Sequence, residues 1–324
     1  MKFLINFSSL IFAIVFSLAT VVMAQDFPNK PVRIIVPASP GGNIDVTARV
    51  LAPGMSEFLK QPVVVENRIG GGGMIGIDYV TKSAPDGYTI VMGSSSTFTV
   101  GPNVYKNWPI DPVKGLTPIM YVHFVPFALV VNAQSPDKSV HDLIKRAKDK
   151  PGTVSQANGG TGTSNHLVSE LFQMLTDTKF ILVPYQGGGP AMTSVISAQT
   201  ESYFDQASTS VSPAQSGRVR VLGLTSKTRW APMPDVPTFN ELGIKDFEVN
   251  GVTGLAGPAG LPRAIVMRIN EAVAYALSDL KVKDRMNTMG AVIVGSSPED
   301  FDRFIREDLI RWSKVVKATG ASAQ

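Results

Sequence analysis

Short apolar segments alternate with amphipathic segments along nearly the whole chain. Residues 32–37 (VRIIVP) are almost entirely apolar, which is typical of a strand buried on both faces. Apolar residues at spacings of three and four between Ile44 and Leu59 then predict a helix, with a kink at Pro53. Repetition of this strand–helix unit predicts an α/β protein.

The pattern is interrupted once and then restarts, which indicates two α/β units. Segments 119–123 and 128–131 are predicted strands with no helix between them, and a helix capped by Ser139 with Asp142 begins the second unit. The other predicted strands are 63–66, 88–93, 154–157, 180–184, 203–205, 219–225 and 291–295. The other predicted helices are 75–83, 165–175, 190–198, 262–277, 281–289 and a last helix that begins at Ser297. We expect the C-terminal helices to complete the first unit, which gives domains of 25–124 plus 249–324 and 125–248.

The first 24 residues are typical of a secretory signal peptide. Lys2 is the only charge before Asp26, residues 10–19 are apolar except Ser17, and Val22-Met23-Ala24 places small residues before a cleavage site. The alternative is a membrane anchor, but the apolar run is shorter than the ~20 residues that a span needs. We therefore predict cleavage after Ala24 and export to the periplasm.

Composition excludes several classes of site. The 324 residues include no Cys, so disulfides, thiolate metal sites and cysteine nucleophiles are excluded. The three histidines, His123, His141 and His166, are too far apart in sequence for a local metal pair. The net charge of +4 comes from Lys and Arg residues that are interleaved with acids, so we expect no nucleic-acid partner, and no cofactor or metal.

Three glycine-rich segments, 40–43, 159–164 and 187–189, each leave a predicted strand and precede a predicted helix. Glycine allows a ligand to approach the backbone, and the start of a helix offers free N–H groups at its positive end. Such turns at the carboxyl ends of strands favour the binding of a carboxylate or phosphate. Asp45 is expected to stabilise a helix start, and Asp205, at a strand end, is a candidate acceptor for a ligand donor.

Motifs of enzymes are incomplete. Gly71-x-Gly73-x-x-Gly76 matches a dinucleotide pattern, but four residues separate it from its strand. Residues 162–166 (GTSNH) end in His where the hydrolase pattern G-x-S-x-G requires Gly. A secreted hydrolase or lyase acting on a small carboxylic acid is the alternative to a binding protein, and the incomplete motifs weigh against it.

An ordered set of motifs covers essentially the whole mature chain. It comprises Pro40-Gly41-Gly42-x-x-Asp45, Val65-Glu66-Asn67-Arg68-x-Gly70, Ala84-Pro85-Asp86-Gly87-Tyr88-Thr89, Gly162-Thr163-Ser164-x-His166-Leu167, Val183-Pro184-Tyr185-x-Gly187-x-Gly189-Pro190 and Pro234-Asp235-Val236-Pro237-Thr238. Together these motifs resemble the Bug-type solute receptors of tripartite tricarboxylate transporters. Gln186 stands where that family often has Lys, and Val252 where it often has an aromatic residue, so the resemblance leaves the ligand open.

The resemblance implies a type II periplasmic-binding-protein-like fold, with two doubly wound α/β domains around a ligand cleft. The chain would cross between the domains near residues 123–127 and 247–251. A monomeric receptor would capture a small organic carboxylate for inner-membrane transporter subunits, or a ligand-sensing module would present it to a signalling partner. The implied ligand-binding residues are Gly41, Gly42, Asn43, Asp45, Ser94, Gly162, Thr163, Ser164, His166, Tyr185, Gly187, Gly188, Gly189 and Asp205.

Overall fold

The computed structural model describes residues 27–38 and 40–322, so the predicted signal peptide lies outside the described residues. Its ten strands are β1 Val32–Val36, β2 Val63–Asn67, β3 Thr89–Ser94, β4 Leu116–Asn132, β5 Ser155–Asn158, β6 Ile181–Pro184, β7 Ser202–Gln206, β8 Val219–Leu224, β9 Asn250–Pro258 and β10 Val292–Ile293. Its helices are α1 Asn43–Leu59, α2 Met74–Thr81, α3 Gly101–Val104, α4 Val140–Asp149, α5 Ser164–Thr176, α6 Gly188–Ile196, α7 Ala207–Gln215, α8 Arg263–Ser278, α9 Leu280–Thr288 and α10 Pro298–Thr319. A short 3-10 turn at Gly71–Gly73 and a π-helix at Ser96–Val100 complete the set.

All the strands belong to one connected, mixed sheet. The main order is β2-β1-β3-β9-β4-β7-β5-β6, and β8 and β10 also pair with β4. The pairs β1–β2, β1–β3, β5–β6 and β5–β7 are parallel, whereas β9 is antiparallel to both β3 and β4. The parallel pairs follow from the strand–helix units of the sequence, because a helix between two strands returns the chain in the same direction.

Strand β4 differs from the sequence prediction. It is one 17-residue strand, whereas the sequence predicts two separate strands at 119–123 and 128–131. Between these two runs, Phe124-Val125-Pro126-Phe127 contains no residue that favours a turn other than Pro126, and the peptide there stays extended opposite Asn250. Residues up to Pro126 pair with β9, and residues from Phe127 onward pair with β7 and β8.

The sequence does not predict α3, and two further segments are helical against the preference of their residues. Ser96–Val100 (STFTV) is a π-helix although β-branched and aromatic residues are typical of strands. Helix α7 is rich in Ser and contains Pro213, so it has low helix propensity. In both segments tertiary contacts outweigh the local preference of the residues.

The last helix, α10, packs against both parts of the fold. Phe301 and Ile305 in its first half are buried with residues of β3 and β9, whereas Trp312 and Val315 are buried with the phenylalanines around Phe172. A 22-residue helix is about 33 Å long, which is more than one α/β unit needs. The last helix therefore contacts both α/β units. The division into 25–124 plus 249–324 and 125–248 stays a prediction, and its parts are called domain 1 and domain 2 below.

Candidate functional site

The carboxyl ends of the strands of both domains lie at one cleft. Its domain 1 side, called lip 1, consists of residues 40–45 and 94–96. Its domain 2 side, called lip 2, consists of residues 159–166, 185–189 and 205–206. All fourteen residues predicted to bind a ligand lie on these two lips, because each stands at or shortly after the carboxyl end of β1, β3, β5, β6 or β7.

Lip 1 is built around the junction of β1 and α1. Gly41 has a φ of +80°, a conformation that L side chains rarely adopt, and its N–H donates to Asp45 Oδ2 at 2.9 Å. The N-cap of α1 is Gly42, which has no side chain to accept from the first-turn amides. The positive end of α1 therefore faces the cleft without a side-chain cap.

Asp45 is buried within lip 1, and its oxygens are already occupied. It accepts from Gly41 N–H, from Arg49 Nε at 3.0 Å and from Asn67 Nδ2 at 2.9 Å. Burial alone would raise the pKa of Asp45, but these hydrogen bonds outweigh burial and hold the pKa below its ordinary value. Asn67 also donates to Ala38 O at 3.0 Å, so Asp45 and Asn67 hold both sides of the turn. The Asp45 side chain therefore fixes the backbone conformation of lip 1.

Ser94 ends β3 and leads into the π-helix. Its N–H donates to Thr97 Oγ1 at 3.3 Å, and its side chain is half-buried. π-helical turns are frequent at functional sites because they place side chains that an α-helix would not. This junction contains no glycine, so its three consecutive serines, 94–96, were the only signal in the sequence.

The glycine turn before α5 is stabilised by hydrogen bonds among its own residues. Thr163 caps the helix by accepting from His166 N–H at 3.4 Å, and Gly162 N–H donates to His166 Nδ1 at 3.3 Å. Burial lowers the pKa of His166, whose Nε2 lies 3.6 Å from Glu170 Oε1. The buried His166 ring thus stabilises the turn by accepting a hydrogen bond from Gly162 N–H.

The turn before α6 is more open. Gly187, the N-cap, has a φ of +107° and a ψ of 173°, and it supplies no side-chain cap. Two hydrogen bonds join this turn to the turn before α5. Tyr185 N–H donates to Asn158 O at 2.9 Å, and Gly187 N–H donates to Gly159 O at 3.2 Å. The uncapped start of α6 on lip 2 is the counterpart of the uncapped start of α1 on lip 1.

Asp205 lies behind the start of α6 and is almost completely buried. Oδ2 accepts from Thr209 Oγ1 at 2.6 Å and from Ser210 Oγ at 2.9 Å, and a Cβ added to Gly188 would lie 3.8 Å from Oδ1. Burial raises the pKa of Asp205 to about 6, although these hydroxyls and Tyr203 counteract the shift. The residue after it, Gln206, carries the amide side chain that reaches lip 1, and sequence analysis did not identify it.

The two lips touch each other directly. Asn43 Nδ2 donates to Gln206 Oε1 at 3.3 Å, and Ser96 Oγ lies 3.0 Å from Ser164 Oγ. Tyr105 OH, beside lip 1, donates to Thr161 O of lip 2 at 3.4 Å. The cleft is therefore in a closed arrangement.

Neither lip contains a Lys or Arg. Nor do the described residues include a cluster of three or more His, Asp or Glu side chains that could hold a metal ion. What the lips offer a ligand is backbone N–H groups, two uncapped helix starts and neutral hydroxyl and amide side chains. That chemistry suits a small anion held without a cationic side chain.

A two-domain α/β protein with strand ends and helix starts meeting at a cleft is the architecture of a solute-binding protein. Residues 47–321 match the model of the tripartite tricarboxylate transporter family receptor. The chain belongs to this family, whose members are periplasmic substrate-binding receptors and not enzymes. The hydrolase or lyase alternative is thereby excluded. In the described residues no helix has the length and apolar character needed to cross a membrane.

Individual relatives agree with the family assignment. Protein BugT of Bordetella pertussis is 36% identical over 312 residues, which is 96% of each chain. The structure of the periplasmic binding protein BugD has a TM-score of 0.81 and 31% identity, covering 92% of this chain and 100% of that one. A Rhodopseudomonas palustris protein, Rpa4515, solved with adipate, has a TM-score of 0.84 and 32% identity over 92% and 99% of the two chains. The resemblance seen in the sequence and the periplasmic-binding-protein fold are thus confirmed.

The conformation of Gly187 generates a prediction about the start of α6. Gly187→Ala should destabilise the protein by about 1–3 kcal/mol, because its φ and ψ lie in a region that is essentially restricted to glycine. Gly189→Ala is the matched control, since nothing lies within 4 Å of its added Cβ and its φ is ordinary. Urea unfolding of both variants measures the difference. Equal stability of the two variants would contradict the role assigned to Gly187.

The buried carboxyl of Asp205 generates a prediction about pH. Its pKa is about 6 in the folded protein against an ordinary value of 3.8, so the folded state holds the proton more tightly between pH 4 and 6. The stability that this proton contributes is present below pH 4 and is lost as the pH rises to 6. The unfolding free energy of Asp205→Asn minus that of the wild type should therefore increase by about 2–3 kcal/mol between pH 4 and 7.

The comparison of Asp205→Asn with the wild type cancels other titrations. His123, whose pKa burial lowers to about 4, changes stability in the same pH range with the opposite sign, but both proteins contain it. Urea unfolding at pH 4 and pH 7 gives the two differences. A difference that does not change with pH would show that Asp205 titrates normally.

Proposed function

We propose that this protein is a periplasmic receptor that captures a small organic carboxylate between lip 1 and lip 2 and delivers it to a tripartite membrane transporter. The observation that carries the proposal is the pair of uncapped helix starts, of α1 and α6, on opposite sides of a cleft without Lys or Arg. Membership of a receptor family and the closed contact between the lips support it.

The ligand is proposed to be held mainly by backbone amides. A carboxylate accepts several N–H bonds at once, and the positive end of a helix stabilises its charge. Arg49, the cation nearest in sequence to lip 1, is already bonded to Asp45 and to Asn67 Oδ1 at 2.9 Å. The proposed contacts are the predicted residues Gly41, Gly42, Asn43, Ser94, Gly162, Thr163, Ser164, Tyr185, Gly187, Gly188 and Gly189. The N–H groups of Gly41, Ser94, Gly162, Thr163, Tyr185 and Gly187 already donate within the protein, so the amides proposed to hold the carboxylate are chiefly those of Gly42, Asn43, Gly188 and Gly189. Asp45, His166 and Asp205 act in this proposal by shaping the lips.

The ligand class follows from the same chemistry. Two helix starts on opposite lips can each accept one carboxylate group, which favours a dicarboxylate over a monocarboxylate. Adipate, with which the related protein Rpa4515 was solved, is a dicarboxylate. Val252 and Gln186, the two positions that depart from the family pattern, are candidate residues for determining which dicarboxylate binds.

Binding should depend on the carboxylate groups of the ligand. A dicarboxylate at 100 times its dissociation constant should stabilise the protein by about 2.7 kcal/mol, visible as a rise in Tm. The experiment is a thermal-shift screen of C4 to C6 dicarboxylates, with adipamide as the neutral control of matched shape. The proposal fails if no dicarboxylate raises Tm or if adipamide raises it equally. Proton NMR of the mixture should show the ligand chemically unchanged.

Delivery in the periplasm requires export of the chain. We propose that residues 1–24 are removed after Ala24, and that the mature receptor is a monomer that meets its membrane subunits only transiently. Intact-mass analysis of protein purified from the periplasm should give the mass of a chain that begins at Gln25. A chain that still carries Met1 would contradict the proposed processing.

A further inference from the structure

A direct side-chain hydrogen bond joins the two domains at the cleft. Asn43 is the first residue of α1, Gln206 is the last residue of β7, and the hydrogen bond from Asn43 Nδ2 to Gln206 Oε1 joins positions 163 residues apart. Both side chains are half-buried and neutral. The two residues belong to different lips, so this bond spans the cleft.

Gln206 lies beside the strands that connect the domains. In the β4–β7 pairing it stands opposite Phe127, the first β4 residue that pairs with domain 2. Its Nε2 lies 3.0 Å from the position that a Cβ on Gly251 would occupy, and Gly251 pairs with Val125 of β4. The glycine at position 251 therefore leaves the space in which the Gln206 amide lies.

The Asn43 side chain is oriented from the opposite direction. Thr47, one turn further along α1, donates from Oγ1 to Asn43 Oδ1 at 3.4 Å, and Oγ1 also lies 2.9 Å from His123 Nε2. A hydroxyl has one proton, so Thr47 can donate to Asn43 when His123 carries its proton on Nε2 and donates it to Oγ1. With Oδ1 held by Thr47, the Asn43 amide presents Nδ2 to Gln206.

His123 anchors this row of hydrogen bonds in the connecting strand. It lies on β4, is fully buried, and pairs with Thr253 of β9 and Ile293 of β10. The row His123–Thr47–Asn43–Gln206 thus begins on the shared strand, passes along α1 and ends on domain 2. It includes no charged group, so its strength depends on geometry.

We propose that Asn43 and Gln206 act as positioning residues that stabilise the closed cleft, through a hydrogen bond that forms only when the lips meet. This inference rests on the proposed function, because it concerns the closure that encloses the carboxylate. A ligand shifts the open–closed equilibrium by its extra affinity for the closed form, and a bond between the domains adds to the same equilibrium. Removing that bond should weaken every ligand by the same factor, since the bond is made between protein groups.

Gln206→Met is the principal variant, because Met keeps the length of the side chain and removes its hydrogen-bonding groups. We expect the dissociation constants of succinate and adipate to rise by a common factor of about 3 to 10, which is the size of one neutral hydrogen bond. The increase should come from faster dissociation, with the association rate nearly unchanged. Gln215→Met, the same substitution at the exposed C-terminal end of α7, is the matched control.

A double-mutant cycle tests whether the two side chains act together. Asn43→Ala should weaken binding, and adding Gln206→Met to it should weaken binding no further, because the bond is already lost. Isothermal titration gives the affinities and stopped-flow fluorescence gives the rates. Independent, multiplicative effects of the two substitutions would overturn the proposal, as would different factors for succinate and adipate.

Closure itself is measured by the distance between spin labels on exposed sites of the two domains. Gln206→Met should reduce the short-distance population relative to the wild type and to Gln215→Met, with and without dicarboxylate. If the wild type binds a dicarboxylate and closes, and Gln206→Met shows the same affinity and the same distances, this inference alone is overturned. A wild type that never populates the short distance with any dicarboxylate overturns both this inference and the proposed receptor function.

Discussion

Strand β4 is hydrogen-bonded to both domains, and the geometry of the cleft depends on that continuity. Up to Pro126 its backbone bonds are made with β9, and from Phe127 they are made with β7 and β8. A strand cannot bend sharply without losing ladder bonds, so the ends of the parallel strands in the two domains are held facing one another. The glycine turns and helix starts that follow those strands are brought together for the same reason.

Other connections restrict the relative motion of the domains. Helix α10 is buried against both of them, and Trp230 of domain 2 donates from Nε1 to Gly290 O of domain 1 at 2.8 Å while almost fully buried. Gly290 has a φ of +64°, and any side chain there would collide with the Trp230 ring. Strand β4, helix α10 and Trp230 thus all link the two domains.

Electrostatics at the cleft depend on two buried carboxyls that differ in pKa. Asp45 receives charged and amide donors and stays ionised, whereas Asp205 receives mainly hydroxyl donors and has a pKa of about 6. Asp205 lies behind the start of α6, where an ionised carboxylate would offset the positive helix end. With no Lys or Arg on either lip, closure strengthens the remaining interactions because it replaces water by a medium of lower dielectric constant. Contact between the lips and retention of an anion are therefore physically coupled.

Much of the fold and of the cleft can be predicted from the sequence. Apolar strands followed by helices of regular spacing determine an α/β fold, and the three glycine turns locate the strand ends that carry the two lips, because both signals are local. The absence of Lys and Arg from these turns is likewise visible in the sequence. Ordered motifs from Pro40 to Thr238 identify the family, since together they constrain most of the mature chain.

Only the tertiary structure determines the remaining features, because they depend on residues far apart in the chain. The single strand β4 forms across Pro126 because β9 supplies partners on the other side. Gln206 is recognisable only through Asn43, 163 positions away, and Asn67 only through its contacts with Asp45 and Ala38. The pKa of Asp205 is set by burial, which no spacing of residues encodes. Local pattern thus determines which segments form the cleft, and long-range packing determines which side chains hold it closed.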